Sequence, residues 1–291
     1  GLKAEMEPQQ VFDLVRRSNG KTLSQLLTSV IPADRSLVEL QLMMLARDGV
    51  IELNRKGGDD YSVKVKNLPR VGSVIEKRKV APILDHRADI VATLPTSLHR
   101  GSKELGQGVA TTDKVFRSLL RGANRYVKLC LPFPEEAVAS YFADEITNLA
   151  RSGIPMRIIT REVFTEKNGT SYGNLVKALM RVYDIYRSCG DERKIEIRDF
   201  HIGLKSRGFN MLHYESVHAK IVLADGVQCY LGSGEWRINS LYNNFELGVV
   251  LTGGIVSRVE SLYDLVWQHA KPIKYEFLSN MHRKSGNTSQ G

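Results

Sequence analysis

With 291 residues and 42% hydrophobic content, the chain is long enough to bury the cores of two modest domains. Its 41 lysines and arginines outnumber 32 acids, and the net charge of +9 favours a polyanionic partner, nucleic acid ahead of an anionic membrane. No apolar run reaches the length of a membrane span and no signal-peptide pattern opens the chain. Its three cysteines, Cys130, Cys189 and Cys229, lack zinc spacing. The expectation is a reduced, cytoplasmic protein with no metal, no cofactor and no stable membrane association.

The first predicted module covers residues 1–70. Gln9 to Arg17 carries an apolar set of Val11, Phe12, Leu14 and Val15 and is stopped by Asn19-Gly20. A second helix runs over Thr22 to Ile31, with Thr22 as its cap. Pro32-Ala-Asp34 breaks the chain, and Asp34 can cap a third helix that ends at Gly49. Val50 to Asn54 and Tyr61 to Lys66 alternate as strands. Three helices followed by a hairpin resemble a winged helix-turn-helix. A DNA-reading module of that kind would present Arg35, Ser36 and Glu39 on its third helix, and Arg55, Lys56, Lys64 and Lys66 to phosphates. Acidic residues nearly balance the basic ones here, and winged helices also serve as protein-interaction modules.

Residues 71–112 read as a linker and an entry strand, Ala88 to Pro95, followed by a Gly-, Ser- and Thr-rich loop from His99. Residues 113–270 then alternate. Helices are predicted at Thr112 to Gly122, Pro134 to Ser152, Asn174 to Ser188 and Ile255 to His269. Strands are predicted at Arg125 to Leu131, Met156 to Thr160 and Ile195 to Asp199. Strands separated by helices imply an α/β sandwich with a mixed sheet. Trp267 reads as core. Tyr214 and Trp236 could stack a base or sit in the core. Residues 271–291 are basic and polar, and fraying is expected.

One segment carries chemistry. His218-Ala-Lys220-Ile-Val-Leu-Ala-Asp225, with Gly232-Ser233 seven residues on, reads H-x-K-x4-D-x6-G-S and occurs once. Val217, Ala219, Ile221 and Leu223 alternate with His218 and Lys220, which puts the two polar residues on one face of a strand. Asp225-Gly226 is a two-residue hairpin signal. Its geometry would pair residues summing to 451, with Ser233 opposite His218. A neutral imidazole can attack phosphorus, and an ammonium and a hydroxyl can hold the non-bridging oxygens. No metal-ligand spacing accompanies the segment, so the expected chemistry is metal-free.

The motif resembles the signature of the phospholipase D superfamily, H-x-K-x4-D-x6-G-S-x-N, over roughly residues 110–270. The resemblance implies that His218 is the nucleophile or its partner acid and that Lys220 and Ser233 bind phosphate. It also implies that Glu246, in Asn244-Phe245-Glu246, orients the histidine and that Asp225 is structural. Glu235 departs from the pattern, standing where an asparagine is expected. A carboxylate there would repel phosphate unless it is protonated or turned away, with Arg237 or Asn239 substituting.

The family's site uses two motifs, and this chain supplies one. His282-Arg-Lys284 has the spacing but no strand, Asp or Gly-Ser after it; His99 and His201 lack the lysine. The missing histidine is therefore expected from a second copy in a two-fold homodimer. Arg161, Lys205 and Arg207 are candidate contacts to a phosphate backbone. Three functions remain open at this point. The first is a nuclease, whose combination with a winged helix resembles components of prokaryotic defence systems. The second is a DNA-binding regulator with a catalytically degenerate phospholipase D-like domain. The third, least favoured, is a phospholipid-processing enzyme.

Overall fold

The computed structural model describes residues 8–30, 32, 35–47, 49–56, 60–66, 86–98, 109–164, 170–204 and 213–287. The chain divides into two compact units. One comprises residues 1–80 and 202–214, the other residues 81–201 and 215–291.

The first unit contains α1 (Pro8–Arg17), α2 (Leu23–Thr28), α3 (Arg35–Arg47) and an antiparallel hairpin, β1 (Ile51–Lys56) with β2 (Asp60–Val65). Thr22 caps α2 as its sequence predicts. Its hydroxyl accepts from the Gln25 N–H, and the Gln25 side chain accepts from the Thr22 N–H, a reciprocal capping box. Val11, Val15, Leu26, Leu27, Val38, Leu42, Ile51 and Val63 form its core. Asp34, the expected cap of α3, lies outside the described residues.

The second unit is an α/β sandwich. Its elements are β3 (Arg87–Thr93), α4 (Thr112–Gly122), β4 (Val127–Cys130), α5 (Glu136–Tyr141), α6 (Ala143–Arg151), β5 (Met156–Thr160), α7 (Thr170–Cys189) and β6 (Ile195–Asp199). β7 (His201–Leu204) and β8 (His213–Ser216), most of whose residues belong to the first unit, pair as a separate two-stranded sheet; the second unit resumes with β9 (Lys220–Ala224) and β10 (Gln228–Gly232). The chain continues with α8 (Ile238–Tyr242), β11 (Glu246–Thr252), α9 (Ile255–His269), β12 (Lys271–Ile273) and α10 (Tyr275–Asn287).

Eight strands form one mixed sheet in the order β12-β6-β5-β4-β9-β10-β11-β3. β4, β5 and β6 are parallel; the other pairs are antiparallel. Alternation along the strands sorts the two faces. Val127, Leu129, Ile158, Val222 and Tyr230 pack with helix residues such as Phe116, Ile146, Leu179 and Leu278. Cys130, Ile159, Leu223 and Cys229 pack on the other face with Val256, Tyr263 and Trp267 of α9.

Three expectations are corrected here. The single helix expected over Pro134 to Ser152 is broken at Phe142, whose backbone (φ −96°, ψ 13°) leaves the helical region while its ring stays buried. Residues 271–291 do not all fray. Lys271–Ile273 pairs antiparallel with β6, Ile273 and Leu278 are buried, and the Tyr183 hydroxyl donates to the Ile273 carbonyl at 2.8 Å. Apolar burial outweighs the basic composition of that segment. The third concerns register. Asp225 and Gly226 do form the turn, with φ 58° and 72°, and the Val227 N–H donates to the Ala224 carbonyl. But Gln228 pairs with Ala224 and Gly232 with Lys220, so partners sum to 452. Val227 is an extra residue, a bulge, and Ser233 is not opposite His218. The segments 71–80 and 99–108 lie outside the described residues.

Candidate active site

The site lies at the carboxyl ends of the parallel strands β4 and β5, where loops gather in open α/β sheets. β9 is antiparallel to β4, so its first residue, Lys220, falls at that edge. β11 begins there with Glu246, and β10 ends there at Gly232.

His218 is exposed and Lys220 is buried. The Lys220 ammonium is 3.3 Å from each ring nitrogen of His218 and donates to the His218 carbonyl at 2.7 Å. The neighbouring Lys220 charge, partial burial and the Arg161 guanidinium hold the imidazole below its ordinary pKa. The ring is thus neutral at neutral pH, the form a nucleophile needs. Burial also lowers the Lys220 pKa, opposed by Glu235, Cys130 and Glu246.

Arg161, expected to contact a phosphate backbone, is brought to this patch. It is buried, donates to the Val217 carbonyl at 3.4 Å, and pairs with Glu162, a non-glycine residue at φ 62°. Arg237 is turned elsewhere, with its guanidinium on Glu135 at 3.2 Å. Arg35 donates to the Val30 carbonyl at 3.3 Å. Glu39 lies on α3 and is buried. Arg55 and Lys56 fall on β1. Lys205 and Arg207 lie outside the described residues.

Ser233 departs from its expected position. Its hydroxyl accepts from the Leu247 N–H at 3.1 Å and lies 3.3 Å from the Leu247 carbonyl. Glu246 is buried, but its carboxylate accepts from Ser240 and the Asn244 amide, each at 3.0 Å, rather than from His218. Ser240 and Asn244 were not singled out in the sequence. Asn244 had a readable signal, standing two residues before Glu246 at strand spacing. Trp236 is buried against Phe142 and belongs to the core.

Asp225, in the turn between β9 and β10, is engaged by backbone groups. Its carboxylate accepts from the backbone N–H of Asn124, Arg125 and Tyr126 at 2.9, 2.7 and 3.0 Å, tying the α4–β4 loop to the β9 turn. Burial would raise its pKa, but these three donors outweigh it and hold the carboxyl below its ordinary value. Replacing Asp225 with alanine leaves all three N–H groups without this partner. Urea unfolding should show a loss of about 2 kcal/mol.

Residues 116–267 match the family described as "Cardiolipin synthase, PLD-like domain". That span is more than half of the chain, and the chain belongs to this phospholipase D-like family. Among solved structures it is similar to NucT from Helicobacter pylori, with 15% identity and a TM-score of 0.45 over 65% of this chain and 100% of that one. Nuc from Salmonella typhimurium, titled a phospholipase D family member, gives 12% identity and a TM-score of 0.43 over 65% and 99%. Phosphatidylserine synthase of Haemophilus influenzae Rd KW20 gives 14% and 0.46 over 88% of this chain, which spans 53% of that protein. No curated protein matches. Among the described residues, no three His, Cys, Asp or Glu side chains are grouped to hold a metal ion, and no helix is long and apolar enough to cross a membrane.

Proposed function

We propose that this chain is a metal-independent phosphodiesterase that cleaves nucleic acid, DNA in preference to RNA, through a phosphohistidine on His218. The observation that carries the reading is the exposed His218, kept neutral by Lys220 against its ring. A ring nitrogen of His218 forms a P–N bond as the bridging P–O bond breaks. The leaving oxygen takes a proton from the partner's His218, which enters this step as the imidazolium and leaves it neutral. Water then attacks phosphorus, the P–N bond breaks with its electron pair returning to the ring, and the water's proton passes to the partner's His218. Lys220 neutralises the charge that develops on the non-bridging oxygens.

The homodimer follows from having one histidine motif where the chemistry uses two. Leu231 and Ile90 are exposed on either side of Val249 in one row of the sheet, and Leu247 is exposed two residues along. A second copy is the occupant we assign to this apolar strip. The net charge of +9 supports a nucleic-acid substrate.

The first unit resembles a winged helix in element order. On α3 the outward residues Leu40, Met43 and Met44 are apolar, whereas Lys64 and Lys66 are exposed at the hairpin. We therefore place its DNA contact on the hairpin. Lys64→Glu with Lys66→Glu should reduce the slope of log affinity against log salt by about 2.

The test is cleavage of labelled single- and double-stranded DNA and RNA in EDTA by wild type, His218→Ala and Glu235→Asn. Cutting by wild type but not by His218→Ala supports the reading. Cutting by Glu235→Asn alone favours the regulator, a second reading motivated by Glu235 itself and by the engaged Ser233 hydroxyl.

A further inference from the structure

Glu235 sits two residues beyond Ser233 in a loop fixed on both sides. The Gly234 N–H donates to the Tyr230 hydroxyl at 3.0 Å, and the Trp236 carbonyl accepts from the Glu135 N–H at 2.8 Å. This places the Glu235 side chain against the loop after β4, where one oxygen accepts from the Phe133 N–H at 3.1 Å. Only 4% of the residue is exposed. Among the described residues that backbone N–H is its single hydrogen-bond donor, and Arg237 of the same loop is paired with Glu135 instead. A carboxylate so buried is poorly compensated by one neutral donor.

Resting on the phosphodiesterase reading, we propose that Glu235 works as a neutral carboxylic acid, donating its O–H to a non-bridging oxygen of the bound phosphate. It thereby supplies the hydrogen bond an amide would give at this position. The proton stays on Glu235 throughout; only a hydrogen bond forms. Ionisation of this group would remove a donor and set a negative charge beside the anion.

The groups around Glu235 act on its ionisation in both directions: burial raises its pKa, and the Phe133 N–H that it accepts from lowers it. Lys220 from β9 favours ionisation, as does Arg237 from its own loop, but Arg237 is paired with Glu135. Glu246 from β11 opposes ionisation, and Cys130 of β4 is a buried thiol whose pKa is pushed up to about 12. Burial is the largest influence, and it raises the Glu235 pKa above the ordinary 4.5. Because the folded value lies above the unfolded one, the stability this group contributes is complete below about 4.5. It is lost as pH rises through the folded value. Glu235→Gln should therefore melt progressively higher relative to wild type as pH rises from about 4.5 to the folded value, the difference then levelling off.

The probe is inorganic sulfate, whose charge is constant between about pH 5 and pH 9. Calorimetry in His218→Ala, which removes the competing imidazole, reads sulfate affinity and proton uptake in buffers of different ionisation enthalpy. Above the folded pKa, affinity should fall about tenfold per pH unit, with uptake approaching about one proton per sulfate. In His218→Ala/Glu235→Gln both dependences should vanish, because the amide donates at every pH. The same pH dependence in both proteins, or no sulfate binding by the folded protein, overturns the assignment. Failure of cleavage with proton-linked sulfate binding intact removes the phosphodiesterase reading and leaves the role of Glu235 standing.

Discussion

His218→Ala is expected to reduce cleavage by on the order of 10⁴-fold or more, with unfolding free energy changed by no more than about 0.5 kcal/mol. The asymmetry follows from the surroundings of the side chain. The ring is exposed, and among the described residues its only hydrogen-bonding side-chain neighbour is Lys220. Little packing is lost when it is truncated. Among the described residues, Glu246 is held by Ser240 and Asn244 and Arg161 is a cation, so neither replaces the imidazole in the chemistry. A pH profile separates nucleophile from mere ligand. Lys220, partial burial and Arg161 lower the imidazole pKa below 6.5, so the acid limb of kcat/KM should lie below that value. Lys220→Met removes the largest of these influences and should move the limb upward, towards 6.5, as well as slowing the reaction. A wild-type limb at or above 6.5, or an active His218→Ala, would remove His218 from the nucleophile's role.

In the β9–β10 hairpin the turn was easier to read from the sequence than the pairing. The Asp225-Gly226 turn is a local property and survives folding, but β9 begins at Lys220, so His218 precedes the strand on which the period of two placed it, exposed where Lys220 is buried. Register is different. Whether Val227 belongs to the turn or bulges from the return strand is decided by pairing across β4, β9 and β10, and that one residue removes Ser233 from its place opposite His218. The surroundings of Glu246 were hidden for a related reason. Ser240 comes from a short helix and Asn244 from the turn before β11, and only the fold makes them converge. At the C-terminus the apolar signal was present but outnumbered. Phe277, Leu278 and Met281 recur at helical spacing among Lys271, Lys274 and Arg283, and they pack on the core. Composition averages hide a stripe that burial uses.

Gly248→Val should destabilise the second unit by about 3 kcal/mol or more and reduce cleavage with it. Gly248 lies opposite Gly232, and the buried Tyr230 ring spreads over both. A Cβ at Gly248 would stand 2.5 Å from the ring edge, and one at Gly232 would stand 2.6 Å from the Gly248 Cα. Tyr230 cannot retreat, since Phe116 meets it edge-on at 4.8 Å between centroids. The same ring carries the hydroxyl that holds the Gly234 N–H, so displacing it shifts the loop bearing Ser233 and Glu235. The glycines thus connect packing to the site: a flat platform lets a large side chain reach the loop from beneath. A double-mutant cycle checks the cause. Tyr230→Leu should lower stability by itself, yet combined with Gly248→Val the losses should be clearly less than additive, because the smaller side chain relieves the overlap. Additive losses would mean that the ring is not what Gly248 accommodates. The double variant should still cleave poorly even if it is folded, since no hydroxyl then supports Gly234.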